Sequence, residues 1–339
     1  MYKYLKLHLL IKSDRIKFLM LWVAHKLRLR HLSLRIDPIL ACNLSCLMCY
    51  FSDGDFRKKN KGKMDPDQIE RIAEILFPSA LQVVLGCATE PTLYKDYVSI
   101  IKIAKEKGVP NVSLTTNGQL ITKDKITELI QAGCDEITLS VHGVYKEMYE
   151  KFMPGANYEK LQDFLFNLKE EKLRMGSKTP TLRINYTANP ENIYELSDFF
   201  KVYEKHSISI LQVRPVMQIG GVYNSLFIND IDVKAYKDIL GALTEESKNY
   251  HVSLLANIGD IGYQEKSNKS SILESVYRYI SPEILWERDF NWQTEDYYSY
   301  CKRIGWSKWL WKNIFNSQVT KEDEDSFLKK YSGRYEVVS

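Results

Sequence analysis

The sequence predicts an α/β fold in which six parallel strands alternate with helices, with a basic helical extension before them and an aromatic-rich region after. Three observations predict it. Short apolar and β-branched runs recur between residues 33 and 214 with amphipathic helical stretches between them, and that alternation builds parallel βαβ units with right-handed crossovers. The chain has 339 residues, 45% of them hydrophobic, which is enough to bury a core without disulfides or structural metals. Charged residues at 27% and aromatics at 12% lie in the ordinary globular range, excluding a disordered chain, a collagen-like rod and a small disulfide scaffold.

The strands are expected at 33–39, 81–86, 111–116, 136–141, 181–186 and 208–214. Helices are expected at 65–76, 96–107, 123–132, 158–172 and 191–204, the first opened by Asp65-Pro66, an N-cap followed by proline in the first turn. After about residue 218 the rhythm loosens. Residues 232–247 read as a helix, 251–256 as one more strand and 265–271 as a loop, and five of the six tryptophans fall between 286 and 311. The division expected is a basic helical extension (1–31), a barrel domain (32–218) and a C-terminal capping region (219–339).

Lys+Arg 47 against Asp+Glu 43 leaves a net charge of +4, too balanced for composition to argue a nucleic-acid partner. The longest apolar run near the start, Phe18 to Ala24, ends at His25-Lys26. It falls far short of the roughly 18 residues a spanning helix needs, and no cleavage pattern follows it. The expected location is the cytoplasm, where thiols are metal ligands or core residues more often than disulfides. The first forty residues carry nine Lys/Arg against Asp14 and Asp37, with leucines at loosely helical spacing. The favoured reading is a basic helix packed on the domain; the alternative is peripheral membrane contact through residues 1–31.

The six cysteines are unevenly spread. Three of them, Cys42, Cys46 and Cys49, lie within eight residues and are followed directly by Tyr50. Thiolates are soft ligands suited to iron–sulfur clusters and zinc. Structural zinc wants four ligands, usually as two pairs, and the next cysteine and histidine are Cys87 and His142. A cubane cluster normally takes four cysteines, so three leave one iron open. The motif follows the first strand, at the mouth where parallel α/β folds place their sites. A catalytic cluster is the expectation, with zinc or incidental cysteines as alternatives.

This motif resembles the signature of the radical S-adenosylmethionine (SAM) enzymes, and the resemblance spans about residues 32–216. It implies one [4Fe-4S] cluster held by Cys42, Cys46 and Cys49, with SAM chelating the open iron. It also implies reductive cleavage to a 5′-deoxyadenosyl radical that abstracts a hydrogen atom, the cofactor carrying the hard chemistry. A reductant such as flavodoxin or ferredoxin is implied as partner. Tyr50 would touch the adenine through its backbone. Gly86-Cys87-Ala88-Thr89-Glu90-Pro91 resembles the family's Gly-Gly-Glu-Pro segment for the methionine amino group, with Ala88 and Thr89 in place of the glycines and Glu90 retained. By the same resemblance Asn117 closes the third strand, Ser140 and His142 hold the ribose, and Asn185 and Val213 lie near the adenine.

Period-2 alternation puts Thr138, Ser140 and His142 on one strand face, Arg183 and Asn185 on the next, and Gln212 and Arg214 on a third. Closed barrels fill their interior with branched apolar residues. Polar faces on three neighbouring strands instead predict a partial (β/α)6 TIM-like barrel with a polar lumen, the helices covering the outside. Many relatives hold the cofactor carboxylate with an arginine shortly after the fourth strand, where this chain reads Lys151-Phe152-Met153-Pro154. Arg183 and Arg214 are therefore candidates for gripping a carboxylate of substrate or cofactor, ordinary ion pairing being the alternative. His142 is equally readable as a satisfied structural donor.

Tyr300-Cys301 through Trp306 weakly resembles the opening of the cysteine-rich (SPASM-type) tail of peptide-modifying relatives. No cysteine follows Cys301, so a single cluster is expected. Cys301 is then a candidate hydrogen-atom donor, its alternative being a buried small hydrophobe; Cys87 and Cys134 are read as structural. The substrate expected is a ribosomally made peptide, undergoing epimerisation or cross-linking. A small molecule, sugar or lipid intermediate is the rival, and a non-catalytic electron-transfer protein is the reading of another class.

Overall fold

A parallel sheet wrapped by helices sets the position of everything else. The structure, a computed structural model, describes residues 11, 13–216, 231–256, 276–285 and 289–315. The first ten residues of the extension, residues 219–230, the loop expected at 265–271 and Trp286 lie outside the described residues. The strands are β1 (Leu32–Ile36), β2 (Ala80–Leu85), β3 (Asn111–Thr116), β4 (Glu136–Ser140), β5 (Thr181–Ala188), β6 (Ile210–Pro215), β7 (Ser253–Ala256), β8 (Tyr277–Ser281) and β9 (Ile284–Leu285). Among the described residues they form one nine-stranded sheet in the order β7-β6-β5-β4-β3-β2-β1-β8-β9. All neighbours are parallel except β8 and β9. The six strands β1–β6 are those the sequence predicts.

The helices are α1 (Asp14–Lys26), α2 (Gly54–Lys59), α3 (Pro66–Leu76), α4 (Tyr97–Glu106), α5 (Lys123–Gln131), α6 (Lys146–Phe152), α7 (Tyr158–Arg174), α8 (Phe199–Tyr203), α9 (Val233–Asn249), α10 (Tyr297–Arg303) and α11 (Trp306–Phe315). Helix α3 starts as expected: Asp65 and Gln68 form a capping box around Pro66. The stretch expected as one helix at 191–204 is broken into a 3-10 turn, Ile193–Asp198, and the short α8. Leu32, Leu34 and Ile36 of β1 are buried and share the core with Ile69, Ile72, Ala73 and Leu76 of α3. The opposite faces of the strands point into the lumen.

Strands from beyond residue 218 extend the same sheet at both edges. β7 pairs with β6, and β8 pairs with β1. The Tyr-Arg-Tyr-Ile-Ser of β8 carries neither a clear period of two nor an apolar run, so its strand character comes from the partner edge of β1.

The basic extension packs on the domain. Phe18, Leu21 and His25 of α1 are buried, Phe18 meeting Trp309 edge-on at 5.7 Å and Trp22 lying 4.7 Å from Trp311. Behind them His25, His31, Tyr297 and Trp306 form an aromatic nest at the start of β1. His31 Nε2 lies 2.6 Å from the Tyr297 hydroxyl and its Nδ1 2.6 Å from the Leu29 carbonyl. A neutral ring, donating from Nδ1 and accepting at Nε2, satisfies both.

Burial lowers the pKa of His25, His31, His142 and His206 from the ordinary 6.5 to about 4. Between those values the unfolded chain binds more protons than the folded one, so the stability these rings contribute is present above pH 6.5 and is lost as pH falls toward 4. The thermal midpoint is therefore expected to drop between pH 7 and pH 5, and His25→Phe, which keeps a ring in the nest, to flatten that profile. An identical midpoint at both pH values would contradict this assignment.

Candidate active site

The three clustered cysteines occupy the loop that leaves β1, at the C-terminal end of the parallel strands. All three are half-buried and unpaired. The loop is clamped from several sides. Ser45 N–H donates to Pro154 O at 3.0 Å and Leu47 N–H to Phe152 O at 3.0 Å, tying it to the end of α6. Asn117 Nδ2 donates to Asn43 Oδ1 at 2.9 Å, and Asn189 Nδ2 lies 3.1 Å from the Met48 sulfur. Arg57 of α2 donates to the carbonyls of Phe51, just past the motif, and Leu44, inside it.

The electrostatics of the loop follow from burial. Burial pushes the Cys42 thiol up to about 11 and raises Cys46 and Cys49 as well; the charges of the three groups act on one another, and the Arg57 guanidinium opposes the rise at each. Thiolates in such a place need a cationic partner. No three His, Cys, Asp or Glu side chains among the described residues converge on one metal ion. A tetrahedral zinc site would require that convergence, whereas a cubane places each thiolate on a different iron. Three soft thiol donors on one short loop suit an iron–sulfur cluster whose remaining iron would take a non-protein ligand.

The turn after β2 is built around a carboxylate that the sequence reading did not single out. Asp37, fully buried at the end of β1, accepts from Cys87 N–H at 2.8 Å, Ala88 N–H at 2.9 Å and the Tyr279 hydroxyl at 2.7 Å. Burial raises its pKa, and these hydrogen bonds oppose the rise. In a trans peptide the carbonyl points opposite the following N–H. The carbonyls of Gly86 and Cys87 thus point away from Asp37. Gly86 has φ +82° and a Cβ there would lie 2.3 Å from Thr115 O, so this glycine is required even where the next two are replaced. A charged residue closing an apolar strand, Ser-Leu-Arg-Ile-Asp, was the available signal for Asp37. Arg57 offered none.

Thr89 Oγ1 donates to Ile39 O at 2.7 Å. Glu90 does not face outward. Its carboxylate accepts from Thr92 Oγ1 at 2.6 Å, Thr116 Oγ1 at 2.7 Å and Asn117 N–H at 2.8 Å, and burial raises its pKa against those bonds. It locks the end of β3 against the β2 turn, and through Asn117 and Asn43 it reaches the cysteine loop. Tyr50 packs edge-on against Phe56 at 5.2 Å.

The register sets Ser140, Asn185 and Gln212 side by side. Asn185 Oδ1 is buried without a hydrogen-bond partner among the described residues, an acceptor left for a ligand. His142 takes the Thr187 N–H on Nδ1 at 3.2 Å, which leaves its proton on Nε2. Val213 differs from expectation: its side chain is buried in the main core because period-2 alternation turns it away from Gln212 and Arg214, so only its backbone borders the lumen. Arg183 gives its charge to a protein carboxylate, Glu136, at 2.6 Å, both side chains 9% exposed, and also bonds Gln212 Oε1 at 3.2 Å. That pair withdraws Arg183 as a free carboxylate grip. Arg214 is half-buried at the end of β6, in register with Thr187.

Cys301, the expected hydrogen-atom donor, lies away from the cysteine loop. Cys301 is buried in α10, in the core beside Tyr297, whose hydroxyl meets His31 at the start of β1. That is the end of β1 opposite the cysteine loop, and its role there is packing. Cys134 is buried and lies 3.4 Å from Glu136 O, whereas Cys87 is exposed at the β2 turn.

Asp37→Asn would set an amide NH₂ against N–H donors, at a cost of about 1–3 kcal/mol. The expected outcome is a lower midpoint in urea unfolding at pH 7, with Tyr279→Phe costing less. Equal midpoints for wild type and Asp37→Asn would show that the turn does not depend on the carboxylate.

Residues 36–196 match the family profile of the radical SAM superfamily. The chain is 30% identical over 219 residues to a probable GTP 3′,8-cyclase of Sulfolobus acidocaldarius, covering 63% of this chain and 64% of that protein. It is 25% identical over 213 residues to the Fe-coproporphyrin III synthase of Methanosarcina barkeri, covering 62% and 50%. Among solved structures it resembles Streptococcus suis SuiB bound to S-adenosylmethionine, with a TM-score of 0.57 at 16% identity over 75% of this chain and 59% of that one. The AdoMet-bound anSMEcpe gives a TM-score of 0.53 at 20% identity over 66% and 63%. The chain spans less than two thirds of the length of each of these four.

Proposed function

We propose that this chain, whose residues 36–196 match the radical SAM superfamily profile, is an enzyme that reductively cleaves S-adenosylmethionine at one [4Fe-4S] cluster and abstracts a hydrogen atom from a substrate carbon. The observation that carries the reading is the set of three half-buried, mutually interacting thiols on one clamped loop at the C-terminal end of a parallel sheet. When bound, the cluster supplies the electron and SAM the sulfonium whose cleavage yields the abstracting radical.

Each remaining role falls to the chain. Cys42, Cys46 and Cys49 would hold the cluster. The carbonyls of Gly86 and Cys87, aimed by Asp37, accept the methionine ammonium. Ala88, Thr89 and Glu90 shape that turn, and Asn117 steadies the cysteine loop. Ser140, His142 with its Nε2 proton, and Asn185 receive the ribose and adenine, with the backbones of Tyr50 and Val213 alongside. Arg214 meets an anionic group of the substrate. A flavodoxin or ferredoxin delivers the electron.

For the substrate, the reading is a ribosomally made peptide undergoing epimerisation or cross-linking. It is supported by fold likeness to SuiB, also solved with its precursor peptide SuiA, and to anSMEcpe, also solved with the Cp18Cys peptide. A second reading, a small anionic molecule, is favoured by the cyclase relative and by Arg214 at the lumen mouth.

Anaerobic reconstitution is expected to load about four irons per chain, where an auxiliary cluster would raise this to about eight. Dithionite and SAM are then expected to yield 5′-deoxyadenosine, and Cys42→Ala to abolish both the cluster absorbance and the product. Iron loading with no product, with or without a peptide or nucleotide substrate, would reduce the chain to an electron carrier.

A further inference from the structure

Helix α1 is apolar on two opposite faces. One holds Phe18, Leu21 and His25 against the domain. The other carries Ile16, Leu19, Met20 and Val23, continued by Leu27 at the C-cap, all exposed, between 36% and 65% of their surface. Their spacing of i, i+3, i+4, i+7 and i+11 lines them along one side of the helix. Beside it, α11 turns outward Lys308, Trp311, Lys312 and Phe315, again one face at i, i+3, i+4 and i+7. The two helices pack against each other, Trp311 lying 4.7 Å from Trp22 on the flank of α1 and 5.2 Å from Phe315. Two exposed apolar stripes on neighbouring helices of a folded chain mark an interaction site.

The charges around it select the partner. Arg15, Lys26, Arg28, Lys308 and Lys312 are all exposed at its borders. The acid exposed on these two helices is Asp14, and it is paired with Lys17 at 3.1 Å. A twofold contact with a second copy would bring this cationic surface against itself. An anionic lipid surface complements it: the apolar stripe enters the acyl boundary, Trp311 sits at headgroup level, and the lysine stems reach back to lipid phosphates.

We propose that the joint outer face of α1 and α11 docks this protein on anionic membranes as a peripheral, non-spanning contact. No helix among the described residues is long and apolar enough to cross a membrane, so the binding is interfacial. It is independent of the chemistry proposed above and is read without it.

The test is co-sedimentation of the full chain with vesicles of phosphatidylcholine alone and of phosphatidylcholine with phosphatidylglycerol. Binding is expected on the anionic vesicles and to weaken as salt screens it. Leu19→Glu with Val23→Glu, and separately Lys308→Glu with Lys312→Glu, each remove about tenfold or more of the partitioning. These side chains are exposed, so circular dichroism and the thermal midpoint should match wild type. Wild-type protein left in the supernatant with anionic vesicles overturns the proposal, as does equal binding to neutral ones. A wild-type dimer that Leu19→Glu with Val23→Glu converts to a monomer also overturns it, assigning the face to self-association.

Discussion

The carboxylate of Asp37 joins three strands at the end of the sheet where the candidate chemistry sits. A fully buried carboxylate is costly unless its oxygens are met by donors. Here two donors are backbone N–H groups of the β2 turn and a third is the Tyr279 hydroxyl on β8. Each group needs the others: without Asp37 the N–H groups of Cys87 and Ala88 lose their acceptor, and without the turn the charge has no compensation. The cysteine loop begins five residues after Asp37, so the anchor of the turn is also the stem of the loop.

Around this anchor the polar residues form a connected frame. Glu90 ties the β2 turn to the end of β3, Asn117 ties β3 to Asn43 of the cysteine loop, and Asn192 bonds the carbonyls of both His142 and Thr187. Deeper in the lumen Glu136 and Arg183 neutralise each other. A buried pair of this kind is weak evidence for stability, since desolvation offsets much of the attraction. Its consequence here is positional, because it seals the lumen floor with polar groups and leaves Asn185, one layer higher, with an acceptor unpartnered. The two ends of the strands divide the work: the C-terminal ends carry polar donors and thiols, and the start of β1 carries the aromatic nest that docks α1, α10 and α11.

Much of this was legible in the sequence because it is local. Strand and helix periods mark β1–β6 and the helices between them, since each element needs only its own pattern to declare which face is buried. The three-cysteine spacing declares its chemistry for the same reason, all three ligands lying on one short loop. The polar alternation on β4, β5 and β6 likewise announced a lumen unlike that of a closed barrel.

What remained was decided by partners far apart in the chain. Whether Arg183 meets a ligand or Glu136 depends on the register of β4 against β5. Whether Cys301 reaches the site depends on which end of β1 its helix covers, and that is set by Tyr297 and His31, 266 residues apart. Tyr279 reaches Asp37 across 242 residues, from a strand that its own residues scarcely declare. The sequence by itself determined the elements, the three-thiol loop and the polar lumen, because those are properties of short segments. The tertiary structure alone decided which polar groups are already spent on one another and which are left for a ligand, because buried donors and acceptors are satisfied across strands and not along them.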